Sequence, residues 1–135
     1  MVDKLVVFDM DGTLLADRLI FALADRFGFG KKLETIMEGS GPEYQKTRRI
    51  ASLLEGVSLK QFYRTLSLIP LSIGAETAVR QLKQRGYTLA IVSDSYILAT
   101  EQLKERLGFD CTIANELILE NSKNKWRDKD AAGLG

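Results

Sequence analysis

The sequence predicts an α/β fold: a parallel sheet with a block of helices inserted after its first strand. Three observations predict it. Leu5-Val6-Val7-Phe8 is a short apolar, β-branched run that stops at Asp9-Met10-Asp11-Gly12-Thr13, which reads as a buried parallel strand and its turn. Residues 71–114 then alternate helical and strand patterns, and that order calls for parallel strands joined by right-handed crossovers. Between the two, residues 15–70 carry only helical patterns.

Each element has its own local reason. In residues 17–29, Leu19, Ile20, Leu23 and Phe27 recur at helical spacing, and Gly28 and Gly30 end the pattern. Lys31 to Glu38 reads as a second short helix, closed by Gly39-Ser40-Gly41. Pro42 suits the first turn of a third, with Tyr44, Thr47, Ala51 and Leu54 on one face and Gly56 at its end. Ser58 is an N-cap for a fourth helix to about Ser67, and Pro70 breaks the run. Ala75 to Arg85 is amphipathic, with Ala78, Val79 and Leu82 inward. Thr88 to Val92 is the second buried strand, residues 96–107 form a helix stopped by Gly108, and Cys111 to Ala114 is a third strand. Leu117-Ile118-Leu119 reads as a fourth, antiparallel strand. From Asn121 onward the pattern is polar and predicts a solvated tail.

These boundaries predict a core from residues 1–14 and 71–135 and a helical cap from residues 15–70. A cap entering after the first strand sits over the carboxyl edge of the sheet, where it excludes water from a site or packs the sheet.

Composition narrows the function. The 135 residues carry 19 basic and 18 acidic side chains, a net charge of +1, which gives no electrostatic case for nucleic acid or an anionic membrane. No apolar run has the length of a bilayer span, and the opening residues, with Lys4 ahead of the first apolar run, read as a charged strand rather than a leader. The single cysteine, Cys111, lies in an apolar run and is expected to be a buried structural thiol. Together these predict a cytoplasmic protein. There is no histidine, so acid–base chemistry falls to carboxylates, lysines, tyrosines or water, and a bound metal is a hard cation with oxygen ligands.

The candidate chemistry sits at two strand ends. In an open α/β sheet, ligands bind beyond the carboxyl ends of the strands. Asp9 and Asp11 reach that edge, although the same spacing also suits a plain Asp-Gly turn. Val92-Ser93-Asp94-Ser95-Tyr96 leads from the second strand into a helix, whose free amides favour an anion. The alternative there is an ordinary N-cap supplied by Ser93 or Ser95.

Asp9-Met10-Asp11-Gly12-Thr13, taken with Ile91-Val92-Ser93, resembles the haloacid dehalogenase superfamily of aspartate-dependent phosphotransferases. Met37-Glu38-Gly39, Gly74-Ala75-Glu76, Leu82 to Tyr87 and Ala114-Asn115-Glu116-Leu117 are similar to its phosphoserine phosphatase-like branch. The resemblance covers nearly the whole chain and implies a Rossmann-like core with a helical cap. It implies an Mg²⁺-dependent phosphatase that acts on a small phosphorylated metabolite through an aspartyl phosphate. Asp9 is then the nucleophile and Asp11 the general acid–base, with Mg²⁺ on the Asp9 carboxylate and the Asp11 carbonyl. Ser93 and the Asp94 amide hold the phosphoryl group, and Gly12 lets the chain turn sharply and approach closely.

The chain departs from the branch at three places. Arg18, beside Asp17, stands where the branch has a glutamate for the substrate's amino group, so an acidic substrate group is favoured. Asp94 and Ser95 replace glycines. The branch's cap arginine falls near Ile50, with Arg48 and Arg49 adjacent; Arg49 is the candidate substrate contact, among Met37, Tyr44 and their neighbours. The lysine and acidic motif that complete the family's site have no clear counterpart. Lys123, Lys125, Lys129, Asp128 and Asp130 offer the groups without a strand to carry them. The sequence therefore suggests a chain shortened at its C-terminal side. It leaves two functions open: the phosphatase, or a catalytically incomplete domain acting as a binding or assembly module, as a homodimer or with a complementing chain.

Overall fold

The structure is a computed structural model and describes residues 4–120 and 125–128. The first strand, β1 (Leu5–Phe8), is followed by four helices, α1 (Leu19–Phe27), α2 (Gly30–Glu38), α3 (Glu43–Ser52) and α4 (Leu59–Leu68). Then come α5 (Ala75–Gln84), β2 (Thr88–Tyr96), α6 (Ile97–Leu107), β3 (Cys111–Asn115), β4 (Leu117–Glu120) and β5 (Lys125–Asp128). The α/β class, the helical insertion and the parallel sheet are as the sequence predicts.

β1, β2 and β3 form one parallel sheet in that order. Both connections step in the same direction, and right-handed crossovers then put α5 and α6 on one face. α6 packs on β2 and β3, and α5 packs on β2 and α6. That face holds Leu89 and Ile91, both fully buried, and Phe8, which meets Phe109 edge-on at 5.6 Å. The opposite face carries Leu5, Val7, Val92 and Ile113, all exposed. Cys111 pairs with Ala90 and is on that same bare face at the edge strand, so it is exposed and not the buried thiol its apolar neighbours suggest.

The strands leading into and out of the helical insertion run side by side. Leu15 bridges Leu71 in antiparallel fashion, Ala16 N donates to Pro70 O at 2.9 Å, and Ser72 N donates to Leu14 O at 2.8 Å. The insertion packs around Phe62, Leu23 and Leu54, all fully buried. α4 opens on a capping box: Gln61 N donates to Ser58 Oγ at 3.1 Å, and Ser58 N donates to Gln61 Oε1 at 2.9 Å.

Four local expectations change. Gly28 alone closes α1, with φ at 78°, while Gly30 is the first residue of α2. α3 ends at Ser52, short of Gly56, and Tyr44 in its first turn is exposed. Ala78 is exposed, and Ala75 and Val79 are the buried residues of α5. The polar tail contains a strand: β5 pairs antiparallel with β4, and together they form a two-stranded sheet separate from the first. What holds this hairpin is Trp126, which is buried against α4. Its ring stacks on Phe62 at 5.4 Å, and its Nε1 donates to Val57 O at 2.7 Å. Leu117 of β4 is buried in the same core, but in β5 the anchor is this one aromatic residue, so no periodicity announces the strand. Of the tail residues considered for the site, Lys125 and Asp128 belong to β5, while Lys123, Lys129 and Asp130 lie outside the described residues.

Candidate active site

β1 ends where its carboxylates begin, because the chain turns at once. The Met10 carbonyl accepts amides from Thr13, Leu14 and Leu15 at 3.3, 3.0 and 2.9 Å, while the Met10 side chain is fully buried. Gly12 sits inside this turn with φ at 73°, a conformation costly to any residue with a Cβ. No atom of the described residues lies within 4 Å of where a Gly12 Cβ would stand, so within the protein it is the turn that calls for the glycine.

This turn points the two acids differently. Asp9 is exposed, and its Oδ1 accepts from the Met10 amide at 2.7 Å. Asp11 is half-buried, and its Oδ1 accepts from the Leu19 amide at 2.8 Å. Leu19 is the first residue of α1, so Asp11 is held on a helix N-terminus. Burial pushes the Asp11 carboxyl above its ordinary value of 3.8. The Leu19 hydrogen bond and the Arg18 charge oppose that shift, and Asp94 and Asp9 add to it. Desolvation therefore outweighs the helix end and the guanidinium.

The register pairs Phe8 with Ile91, so β1 and β2 deliver Asp9 and Ser93 to the same edge. β2 continues through Ser93, Asp94 and Ser95, with an irregularity between Val92 and Tyr96. Neither serine caps α6. Tyr96 is the N-cap and makes no side-chain cap bond, while Ser93 Oγ accepts the Ser95 amide at 3.0 Å. Ser93 is buried and Asp94 exposed.

A cavity of about 420 Å³ opens between these strand ends and the helical insertion. Asp11, Asp94, Ser95, Tyr96 and Asn115 line it from the sheet side. Arg18, Ile20, Met37, Glu43, Lys46, Thr47 and Ile50 line it from α1, α2 and α3. Of the sequence candidates, Asp11, Arg18 and Asp94 come together here, with Asp9 and Ser93 at the adjoining strand ends. Arg49 does not join them. It lies with Gln45, Arg48 and Ser52 around a separate shallow depression. The face of α3 that meets the cavity carries Lys46 and Ile50, one turn apart, and the i, i+4 spacing from Ile50 was the signal that could have found Lys46. Asn115 was also missed as a site residue. Its Nδ2 donates to the Asp94 carbonyl at 2.7 Å and ties β3 to the end of β2.

The donors here are carboxylate and carbonyl oxygens, a set that suits a hard cation such as Mg²⁺, which takes one or two carboxylates and completes its shell with water and phosphate. Among the described residues there is no group of three or more acids, cysteines or histidines placed to hold a metal by themselves. No helix among the described residues is long and apolar enough to cross a membrane.

The model of the haloacid dehalogenase-like hydrolase family matches residues 6–133. A phosphoserine phosphatase of Archaeoglobus fulgidus is 38% identical over 130 residues, which cover 93% of this chain and 38% of that protein. One from Methanocaldococcus jannaschii is 34% identical over 124 residues, covering 89% of this chain and 59% of that protein. The chain therefore spans between 38% and 59% of the length of these curated relatives. A solved structure described as a phospho-aspartyl intermediate analogue of phosphoserine phosphatase superposes with a TM-score of 0.79 at 30% identity, covering 96% of this chain and 65% of that one. With a parallel sheet, a helical insertion after its first strand and a D-x-D-G-T turn at that strand's end, the chain belongs to the haloacid dehalogenase-like hydrolase family.

Proposed function

We propose that this chain carries the nucleophile, the acid–base group and the cap of an Mg²⁺-dependent phosphatase of small phosphomonoesters. The observation that carries the reading is the contrast between two neighbouring acids. Asp9 is exposed at the strand end, while Asp11 is half-buried beside the cavity with its carboxyl pushed upward. One is suited to attack and the other to hold a proton.

In this reading an Asp9 carboxylate oxygen attacks phosphorus, and the bond from phosphorus to the ester oxygen breaks. Asp11 gives its proton to the departing alkoxide. Water then attacks the phosphorus of the aspartyl phosphate and gives a proton to Asp11, and Asp9 leaves as a free carboxylate with release of inorganic phosphate. The Ser93 hydroxyl and the Asp94 amide hold phosphoryl oxygens, and Gly12 shapes the turn. The Asp9 carboxylate and the Asp11 carbonyl are the groups that would hold Mg²⁺, which when bound offsets the negative charge of carboxylate and phosphate. Residues 15–70 act as the cap, a role supported by the paired entry and exit strands and by the cavity beneath α1 and α3. A cytoplasmic location belongs to the same reading.

A second reading has one observation in its favour. The sheet face that carries Leu5, Val7, Val92 and Ile113 is apolar and exposed, which suits association with another surface. In that reading it is a catalytically incomplete domain that binds or assembles, as a homodimer or with a complementing chain. Turnover of p-nitrophenyl phosphate with Mg²⁺ decides between them. The phosphatase reading expects turnover that Asp9→Asn abolishes. Absence of turnover with any divalent metal, or turnover that survives Asp9→Asn, refutes it for this chain.

A further inference from the structure

We propose that Lys46 and Arg18 form an anion subsite in the Asp11 cavity, so that the ligand is a compact phosphomonoester bearing a carboxylate and no ammonium group. The proposal rests on the phosphatase reading of Asp9 and Asp11, and it concerns the part of the cavity that the insertion lines.

Lys46 is the first reason. Its side chain is 17% exposed, so its stem is packed into the wall of the cavity. The partners its ammonium finds within the protein are weak. Nζ lies 3.5 Å from the Met37 carbonyl and 3.7 Å from Glu43 Oε1, both longer than a good hydrogen bond. The Glu43 side chain is 89% exposed, so water screens its charge. An ammonium has three protons to donate, and these two long contacts leave room for a stronger acceptor. Lys46 lines the cavity, so a ligand in the cavity can supply that acceptor.

Arg18 is the second. It lines the same cavity, and its guanidinium lies over the Phe21 ring at 4.8 Å and acts on Asp11. Contact with the ring limits the freedom of the guanidinium while leaving N–H groups to donate to an anion. Ile20, Met37, Thr47, Ile50 and Glu43 complete the walls on the insertion side. A ligand ammonium placed there meets two cations, apolar side chains and a single carboxylate, Glu43, whose charge water screens. The acids Asp11 and Asp94 belong to the strand-end side, where the proposed phosphoryl chemistry uses them. The strand-end side therefore carries the acids and the insertion side two cations against one solvent-screened carboxylate, which separates an end for phosphate from an end for carboxylate.

Calorimetric titration of the full chain, in the presence of Mg²⁺, with 3-phosphoglycerate, O-phosphoserine, O-phosphoethanolamine and inorganic phosphate tests this. The three esters are close in size and differ in carrying a carboxylate, both charges, or an ammonium. We expect 3-phosphoglycerate to bind at least about tenfold more tightly than O-phosphoethanolamine, with O-phosphoserine between them. Lys46→Gln should remove most of that preference and change inorganic phosphate affinity by less than about twofold, and Lys46→Arg should restore it. Circular dichroism confirms that the variants fold. Equal or tighter binding of O-phosphoethanolamine overturns the proposal while leaving the phosphatase reading intact, as does an unchanged preference in Lys46→Gln. If neither inorganic phosphate nor any ester binds, the phosphatase reading fails and the subsite with it.

Discussion

Trp126 is the residue whose removal most directly tests how the β4–β5 hairpin is held. It is the chain's single tryptophan, 4% exposed, stacked on Phe62, with its indole N–H on the Val57 carbonyl. A buried tryptophan removes about 150–250 Å² from water, which at about 25 cal/mol per Å² gives an upper bound of about 4–6 kcal/mol. Large-to-small substitutions of buried aromatics cost about 3–5 kcal/mol. Trp126→Ala should therefore lose about 4 kcal/mol, a large part of the roughly 5–15 kcal/mol typical of a folded domain. Trp126→Phe keeps a ring against Phe62 but strands the Val57 carbonyl, at a cost of about 1–3 kcal/mol. Urea unfolding followed by far-ultraviolet circular dichroism measures both, since neither variant keeps an indole. If Trp126→Ala costs less than about 1 kcal/mol, the hairpin does not draw stability from the insertion and the reasoning fails. If Trp126→Phe costs as much as Trp126→Ala, the hydrogen bond outweighs the stack.

Other outcomes follow from the same physics. Asp11 has its carboxyl raised in the folded state, so its contribution is most favourable below its ordinary value of 3.8 and is lost as pH rises through the folded value. Asp11→Asn keeps an oxygen for the Leu19 amide. It should be at least as stable as the parent at neutral pH, with an advantage that shrinks toward about pH 3 in thermal melts. A variant advantage that grows on acidification would contradict the burial argument. Ser58→Ala breaks the capping box of α4 and should cost about 1 kcal/mol in urea unfolding; no loss would mean that water replaces the cap. On the sheet, Ile91 is fully buried and Ile113 is 65% exposed. Ile91→Ala should cost about 2–5 kcal/mol and Ile113→Ala less than about 0.5 kcal/mol. Similar losses at both positions would show that the face carrying Ile113 is covered in solution.

Much of the candidate site was legible because it is local. The Asp9 to Thr13 turn needs a glycine at positive φ, and the sequence supplies Gly12 next to the second acid. The strand leading to Ser93 was equally plain, as a continuous apolar run. Arg49 was misplaced because consecutive helical residues point about 100° apart. A resemblance that fixes α3 only to within a residue or two therefore cannot say which cation faces inward. Lys46 could be assigned only once α3 was packed. Asn115 was visible in a motif, but its bond to the Asp94 carbonyl crosses between strands 21 residues apart.

By itself, the sequence determined the α/β class, the order of helices and strands as far as β4, the helical insertion after β1, and the two acids at the end of β1. Those are set by periodicity, caps and glycines acting over a few residues. Tertiary structure alone decided which face of the sheet is bare, why Cys111 is exposed, which charges line the cavity and that a polar tail docks through Trp126. Each of these depends on pairing between residues far apart in the chain, and the energy of such contacts leaves no repeating pattern in the sequence.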